Sequence, residues 1–258
     1  REHGLNYSEQ VGSNTGNFDH KRDFSIRSGV NLTRALTISF NYAQNVSSNL
    51  RGSGLEQRTM SRDYLSYGSQ LEDGFPFVGW SVRITGLERN KFIRKFVRTL
   101  SLDHVTNGKE TRAWQFDQFG GPKMPFFGIN DFINRNQDNE RTSRFNMNFA
   151  PLIGATLSLK KGIAITMRHN RTLSRETTAN GGQKVFNDHS YLLTANYTHR
   201  GGFNIPIPFF DNYKVNNQVN FTFNFDMNNN RTLQKAQEAT KFAETAFTSS
   251  WKTGIRLT

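Results

Sequence analysis

The sequence predicts an all-β protein, an antiparallel meander of long strands with one short helix near 89–97. Two observations predict it. The first is strict alternation over long runs. In NQVNFTFNFDMNNNRTLQ, residues 217–234, Val219, Phe221, Phe223, Phe225 and Met227 recur at every second position, with Asn, Thr and Asp between them. A strand sends alternate side chains to opposite faces, so one face of this strand is large and apolar and the other is wet. The second is composition. Only 35% of the 258 residues are hydrophobic, yet 23 are Phe. A compact soluble domain carries roughly 45–50% apolar residues, Gly included. A polar average with many large rings suits a sheet that is hydrated on one face and set against something apolar on the other.

The elements follow in chain order. Residues 1–21 are rich in Asn, Gly and Ser and read as a polar loop; 22–258 read as strands and their connections. A hairpin is expected over 22–47. Phe24, Ile26, Val30 and Leu32 alternate with polar residues, a turn falls near Thr33-Arg34, and Leu36, Ile38, Phe40 and Tyr42 resume the pattern. Residues 49–77 are irregular and polar. Strands run from about 79 to 118, beginning with Trp80, Val82 and Ile84. They are interrupted by the helical spacing of Phe92, Phe96 and Val97, and a turn is expected at Asn107-Gly108. Residues 119–141 form a long loop, whose part 119–133 is read either as a gate or partner contact or as a self-packed surface loop.

Strands occupy 143–258. Phe145, Met147 and Phe149 lead to Ile153, Ala155, Leu157 and Leu159. A turn at Lys161-Gly162 precedes Ile163, Ile165 and Met167. Tyr191, Leu193, Ala195 and Tyr197 line the next strand, and GGFNIPIPFFDN connects it to the strand that begins at Val219. A last strand carries Trp251, Ile255 and Leu257. The tetrad Asn-Arg-Thr-Leu occurs at 170–173 and 230–233, each time expected where a long strand runs out. The chain starts at Arg1 and stops at Thr258 inside an alternating run, and is expected to be an internal segment of a longer protein.

The apolar face can meet a protein core or lipid. From Val219 to Met227 a strand runs roughly 30 Å, which at a 45° tilt spans a little over 20 Å, close to the roughly 25 Å apolar band of an outer-membrane barrel. Strands of soluble sandwiches average about 5–6 residues, shorter than these. The expectation is therefore a large transmembrane outer-membrane β-barrel. Val219, Phe221, Phe223, Phe225 and Met227 are the lipid-facing candidates, and Asn220, Thr222, Asn224 and Asp226 the lumen-facing ones. Tyr42, Trp80, Tyr197, Phe203 and Trp251, near strand ends, are candidates for interfacial girdles. Strands that cross lipid must close on themselves, because an open edge leaves backbone groups unpaired in hydrocarbon.

Other chemistries find little support. There is no cysteine, which removes disulfides and thiolate metal sites. The net charge of +12 is scattered over strands and loops with no RNA-binding signature, so nucleic acid is not an expected partner. Asp188-His189-Ser190 places three triad residue types side by side, where neighbours in a strand point to opposite faces. His169 and His199 lack carboxylates at ligand spacing, and Gly120-Gly121-Pro122-Lys123 lacks the spacing of a phosphate loop. No catalytic, metal or cofactor residue is assigned.

The segment FPFVGWSVRITGLERNKFIRKFVRTLSLDHV, a strand ending in TGL, a basic-aromatic turn and a strand LSLDH, resembles the SprA (Sov) family. FAPLIGATLSLKKGIAITMRHNRTLS resembles that family's paired strands, and VNFTFNFDMNNNRTLQK followed by TSSWKTGIRLT its next hairpin. The resemblance covers roughly 75–258. It implies the outer-membrane translocon of the type nine secretion system, which serves gliding motility in Bacteroidota-like bacteria. The family's barrel is the largest known, at 36 strands, a count that belongs to the family; such a wall encloses roughly 70 Å. It further implies bacterial outer-membrane lipid, secreted cargo proteins and plug or gating subunits as partners. Two alternatives stand beside it: a TonB-dependent or lipopolysaccharide-handling barrel, and a soluble β-rich adhesin or carbohydrate-binding module.

Overall fold

The computed structural model describes residues 18–50, 55–68, 70–117, 122–199, 201, 203–207, 210–215 and 218–258, with 203–215 by backbone alone. The strands are β1 (Phe18–Asn31), β2 (Leu36–Leu50), β3 (Glu56–Tyr67), β4 (Asp73–Pro76), β5 (Gly79–Thr85), β6 (Val97–Phe116) and β7 (Glu140–Leu159). They continue as β8 (Ile163–Thr178), β9 (Gln183–His199), β10 (Phe203–Ile207), β11 (Phe210–Val215), β12 (Val219–Lys235) and β13 (Ala243–Leu257). A single α-helix among the described residues, α1, spans Ile129–Arg135. The all-β expectation holds: pairings are antiparallel and mostly between sequence neighbours, as alternation and short turns dictate.

One sheet holds every strand except β10 and β11, which pair with each other. Across it run nine strand positions, in the order β1, β2, the shared slot of β3 and β5, β6, β7, β8, β9, β12, β13. The shared slot is the topological feature that matters. β2 pairs its Leu36–Asn41 half with β5 and its Gln44–Leu50 half with β3. β6 does the same from the other side. One strand position is thus broken by an excursion, in which the end of β3 leaves the sheet, pairs with β4 from Tyr64↔Pro76 to Tyr67↔Asp73, and returns as β5.

Local chemistry accommodates the break. Where β2 loses its partner, the Asp63 carboxylate accepts the backbone N–H of Ala43 at 2.9 Å and the side chain of Asn41 at 3.2 Å. Gly108 sits where the departing chain presses on β6: a Cβ there would overlap the Tyr64 carbonyl and the Met147 sulfur.

Several expectations need correction. The polar stretch 18–21 is strand, because β1 pairs back to Leu50; 1–17 lie outside the described residues. The irregular 49–77 contains β3 and β4, whose alternation is masked by charged residues pointing into a covered layer. No turn forms at Asn107-Gly108; β6 runs straight through it for 20 residues, and the glycine serves close approach instead. The helix expected near 89–97 is two separate 3₁₀ turns, Leu87–Arg89 and Ile93–Lys95. The α-helix falls in the segment expected to be loop. The two Asn-Arg-Thr-Leu tetrads lie inside β8 and β12, not at their ends.

Candidate functional surface

Register decides which side chains share a face. Through β12, Phe221, Phe223, Phe225 and Met227 stand level with Tyr197, Ala195, Leu193 and Tyr191 of β9 and with Leu257, Ile255, Thr253 and Trp251 of β13. The same rows run on through Met167 and Ile165 of β8, Ala155 and Leu157 of β7, Leu102 and Leu100 of β6, Ile84 and Val82 of β5, and Leu36 and Ile38 of β2. The apolar stripe of each strand is thereby joined into one band across the sheet. The proposed lipid-facing residues all lie in this band. Phe221 and Phe223 are 40% and 37% exposed, whereas Val219 at the margin is 8% exposed.

Asn220, Thr222, Asn224 and Asp226 lie on the opposite face, level with Thr198, Asn196, Thr194 and Leu192 of β9. Asn220 and Asn224 join a ladder of cross-strand hydrogen bonds: Thr198 donates to Asn220 at 3.0 Å and Thr194 to Asn224 at 3.1 Å. Along β12 itself Asn228 donates to Asp226 at 3.1 Å, and further along the face Thr172 donates across to Asn148 at 3.2 Å. This face is Asn, Thr and Ser through most of its extent; Leu192 and Phe186 are among its few large apolar residues.

A row of rings marks one margin of the band. Trp80, His104 and Phe149 follow one another at 6.3 Å spacing, prolonged outward by Phe77 at 6.0 Å and Phe75 at 5.4 Å. Farther across, His169 stacks on Tyr191 at 4.3 Å and faces His189, with 3.1 Å between ring nitrogens. Met227 and Trp251 continue the Tyr191 level. At the opposite margin Tyr197 stacks on Phe221 at 6.1 Å. Of the girdle candidates, Tyr42, Trp80 and Trp251 belong to the first margin and Tyr197 to the second; the Phe203 side chain lies outside the described residues. Asp188 and Ser190 lie on the face away from His189, so the three do not converge.

Beyond the ring row the same face changes character. It carries charged and large apolar side chains together, and there it is covered. The segment 122–139, with α1, lays Met124, Ile129, Phe132 and Ile133 over Val46, Met60, Trp114 and Phe116. The β3–β4 excursion lays Leu71 over Met147, Leu173 and Val185, with Leu233 and Phe242 beside them. Leu71 takes a left-handed φ of 57° to reach that site. Both Asn-Arg-Thr-Leu tetrads mark this step: Leu173 and Leu233 enter the covered cluster, and Arg171 and Arg231 stand just before it on the same face.

Under the cover lies an ion-pair chain that alternation did not reveal. Glu110, with no exposed surface, accepts from Arg62 and from Arg112 at 2.6 Å each, and Arg112 reaches Glu140 at 3.0 Å. Arg58 pairs with Glu56 at 2.9 Å and sits 5.0 Å over the Phe116 ring. These charges interrupt the apolar rows of β3 and β6, which is why 49–77 read as irregular. The only sequence signal was the Glu and Arg at second-neighbour spacing in Glu56, Arg58, Glu110 and Arg112.

The contrast between the two halves of this face is the central observation. Where the strands carry Trp114, Met60 and Met147, other segments cover them to a few per cent exposure. Where they carry Ile26, Val30, Phe40, Ile153, Met167 and Phe221, the side chains stay 39–65% exposed. No helix among the described residues is long and apolar enough to cross a membrane, which says nothing of strands. No family model matches the chain, and no curated protein is significantly similar to it.

Proposed function

We propose that the chain forms part of the wall of a protein-conducting outer-membrane β-barrel, of the type nine secretion and gliding-motility kind that its sequence motifs resemble. The carrying observation is the bare apolar band next to a covered half of the same face. A protein that shields Trp114 and Met60 from water, yet leaves a continuous stripe of Phe, Ile and Leu unshielded, is built for an apolar solvent there. The ring rows at its margins fit the aromatic girdles of barrel walls.

The open sheet supports a large barrel. Among the described residues β1 and β13 each pair with one neighbour across nine strand positions, whereas a small barrel closes at about eight strands. Edges left open in hydrocarbon would strand backbone groups, so further strands flank both sides. The polar face of Asn, Thr and Ser is then the lumen wall. It offers hydrogen bonds that are weak and exchangeable with water, suited to a surface past which polypeptide slides. Transport on this reading is driven by partners, and the chain does no chemistry of its own. The covered half, with 122–139 and the β3–β4 excursion, is placed outward from the cell because the β6–β7 connection and the excursion are both built there, as barrels carry longer connections outside, although the β9–β12 connection leaves from the other end.

The test uses nitroxides at F221C, F223C, T222C and N224C in the full-length protein in lipid. Labels replacing the two Phe are expected to relax with oxygen and be shielded from an aqueous nickel complex, with the reverse at 222 and 224. A photo-crosslinker at Asn224 is expected to capture exported protein in cells, and one at Phe223 is not. Water at the Phe positions, or their burial under a second protein layer, overturns the wall reading. A lipid-facing band with no exported protein at Asn224 overturns conduction alone.

A further inference from the structure

The link between β5 and β6 turns twice in 3₁₀ geometry and presents two Phe side chains with almost nothing over them. Phe92 is 80% exposed and Phe96 is 70% exposed. Around them stand Arg89, Lys91, Arg94, Lys95 and Arg98, all exposed. Lys95 lies 5.7 Å above the Phe92 ring. The adjoining β7–β8 turn adds exposed Lys160 and Lys161, and the backbone N–H of Lys160 donates to the Phe96 carbonyl at 3.1 Å. The segment's acid, Glu88, is already engaged: its carboxylate accepts the Leu100 N–H at 3.2 Å.

The position of this cluster gives it meaning. Val97, the next residue, pairs with Leu159 at the margin of the apolar band opposite the ring row of Trp80 and His104. On β6 the band is short, since Leu100 and Leu102 are followed by His104. Two protruding rings stand just beyond that margin of the band, with the cations around them. Apolar rings bracketed by Lys and Arg at a lipid margin are the arrangement that places rings among acyl chains and charge among phosphates.

Resting on the wall reading above, we propose that 86–98, together with Lys160 and Lys161, is an interfacial anchor for anionic phospholipid headgroups. Phe92 and Phe96 enter the acyl margin, and the cations hold the phosphodiesters. The partner is a lipid surface, because the charge is complementary to it and the rings have no protein contact that buries them.

The experiment places single nitroxides at F92C, F96C and F223C in the full-length protein, in nanodiscs with about 30% phosphatidylglycerol. Labels at 92 and 96 are expected to be oxygen-accessible at a shallower depth than 223. Native mass spectrometry is expected to show about threefold less retained phosphatidylglycerol for K91Q/R94Q/K95Q/K161Q, with zwitterionic lipid unchanged. Labels at 92 and 96 in water while 223 senses lipid overturn the anchor and leave the wall. All three in water overturn the wall as well. Shielding that appears only when another subunit is added overturns the lipid partner in favour of a protein one.

Discussion

At the scale of the residue, Glu110 is the most constrained group of the covered layer. It has no exposed surface and bridges two guanidinium groups, Arg62 and Arg112, the second of which is also paired with Glu140. Breaking a buried pair by removing one partner leaves uncompensated charge and costs about 3–5 kcal/mol. Glu110→Ala is expected to destabilise by that order, whereas Glu176→Ala, from the exposed pair with Arg144, is expected to cost under about 1 kcal/mol. Urea unfolding of the two variants in vesicles checks it, with protease cleavage in 122–139 reporting release of the cover. Gly108 belongs to the same scale. Its meaning is the passage of the Tyr64 carbonyl, and a glycine beside Asn reads from sequence as a turn because the approaching chain is 44 positions away.

At the scale of the element, β12 separates two environments one residue apart. Phe223 lies in the bare band and Asn224 on the polar face. An Arg on the lipid face of a barrel strand costs about 2–4 kcal/mol near the bilayer midplane, while lumen substitutions change little in stability. Phe223→Arg is expected to lower folding yield and stability in lipid vesicles by that amount, and Asn224→Arg is expected to leave both near the parent value. Equal effects would show that both faces meet the same solvent. This alternation was legible because a strand's period of two needs no tertiary information. The β3–β4 excursion was not, because its chain leaves the sheet after Asp63 and its apolar residues, Leu65 and Leu71, follow no period.

At the scale of the whole molecule, the bare band lies between two different ends. One carries the basic turns at 86–96 and 160–162; the other carries the covered layer with α1. Placing the covered end outside the cell predicts that F127C, at a residue 79% exposed in 122–139, reacts with an impermeant maleimide on intact cells. K161C is expected to react only after the outer membrane is opened. The opposite pattern would invert the wall while keeping its two faces. Segment 122–139 packs on its own sheet through Phe132 and Ile133, as the self-packed reading expects, and leaves Phe127 exposed.

Taken alone, the sequence determined the strand class, the two chemically distinct stripes of each strand and most of the strands after residue 79, because these depend on neighbours two positions apart. Register, and with it the joining of separate stripes into one band, came only with tertiary structure. So did the division of that face into a bare half and a covered half. Which apolar side chains are shielded depends on segments far away in the chain, as where Leu71 covers Leu173 and Val185, and where Gln44 bonds the Phe126 carbonyl 82 residues away. Alternation records that a face is apolar; only packing decides whether protein already covers it.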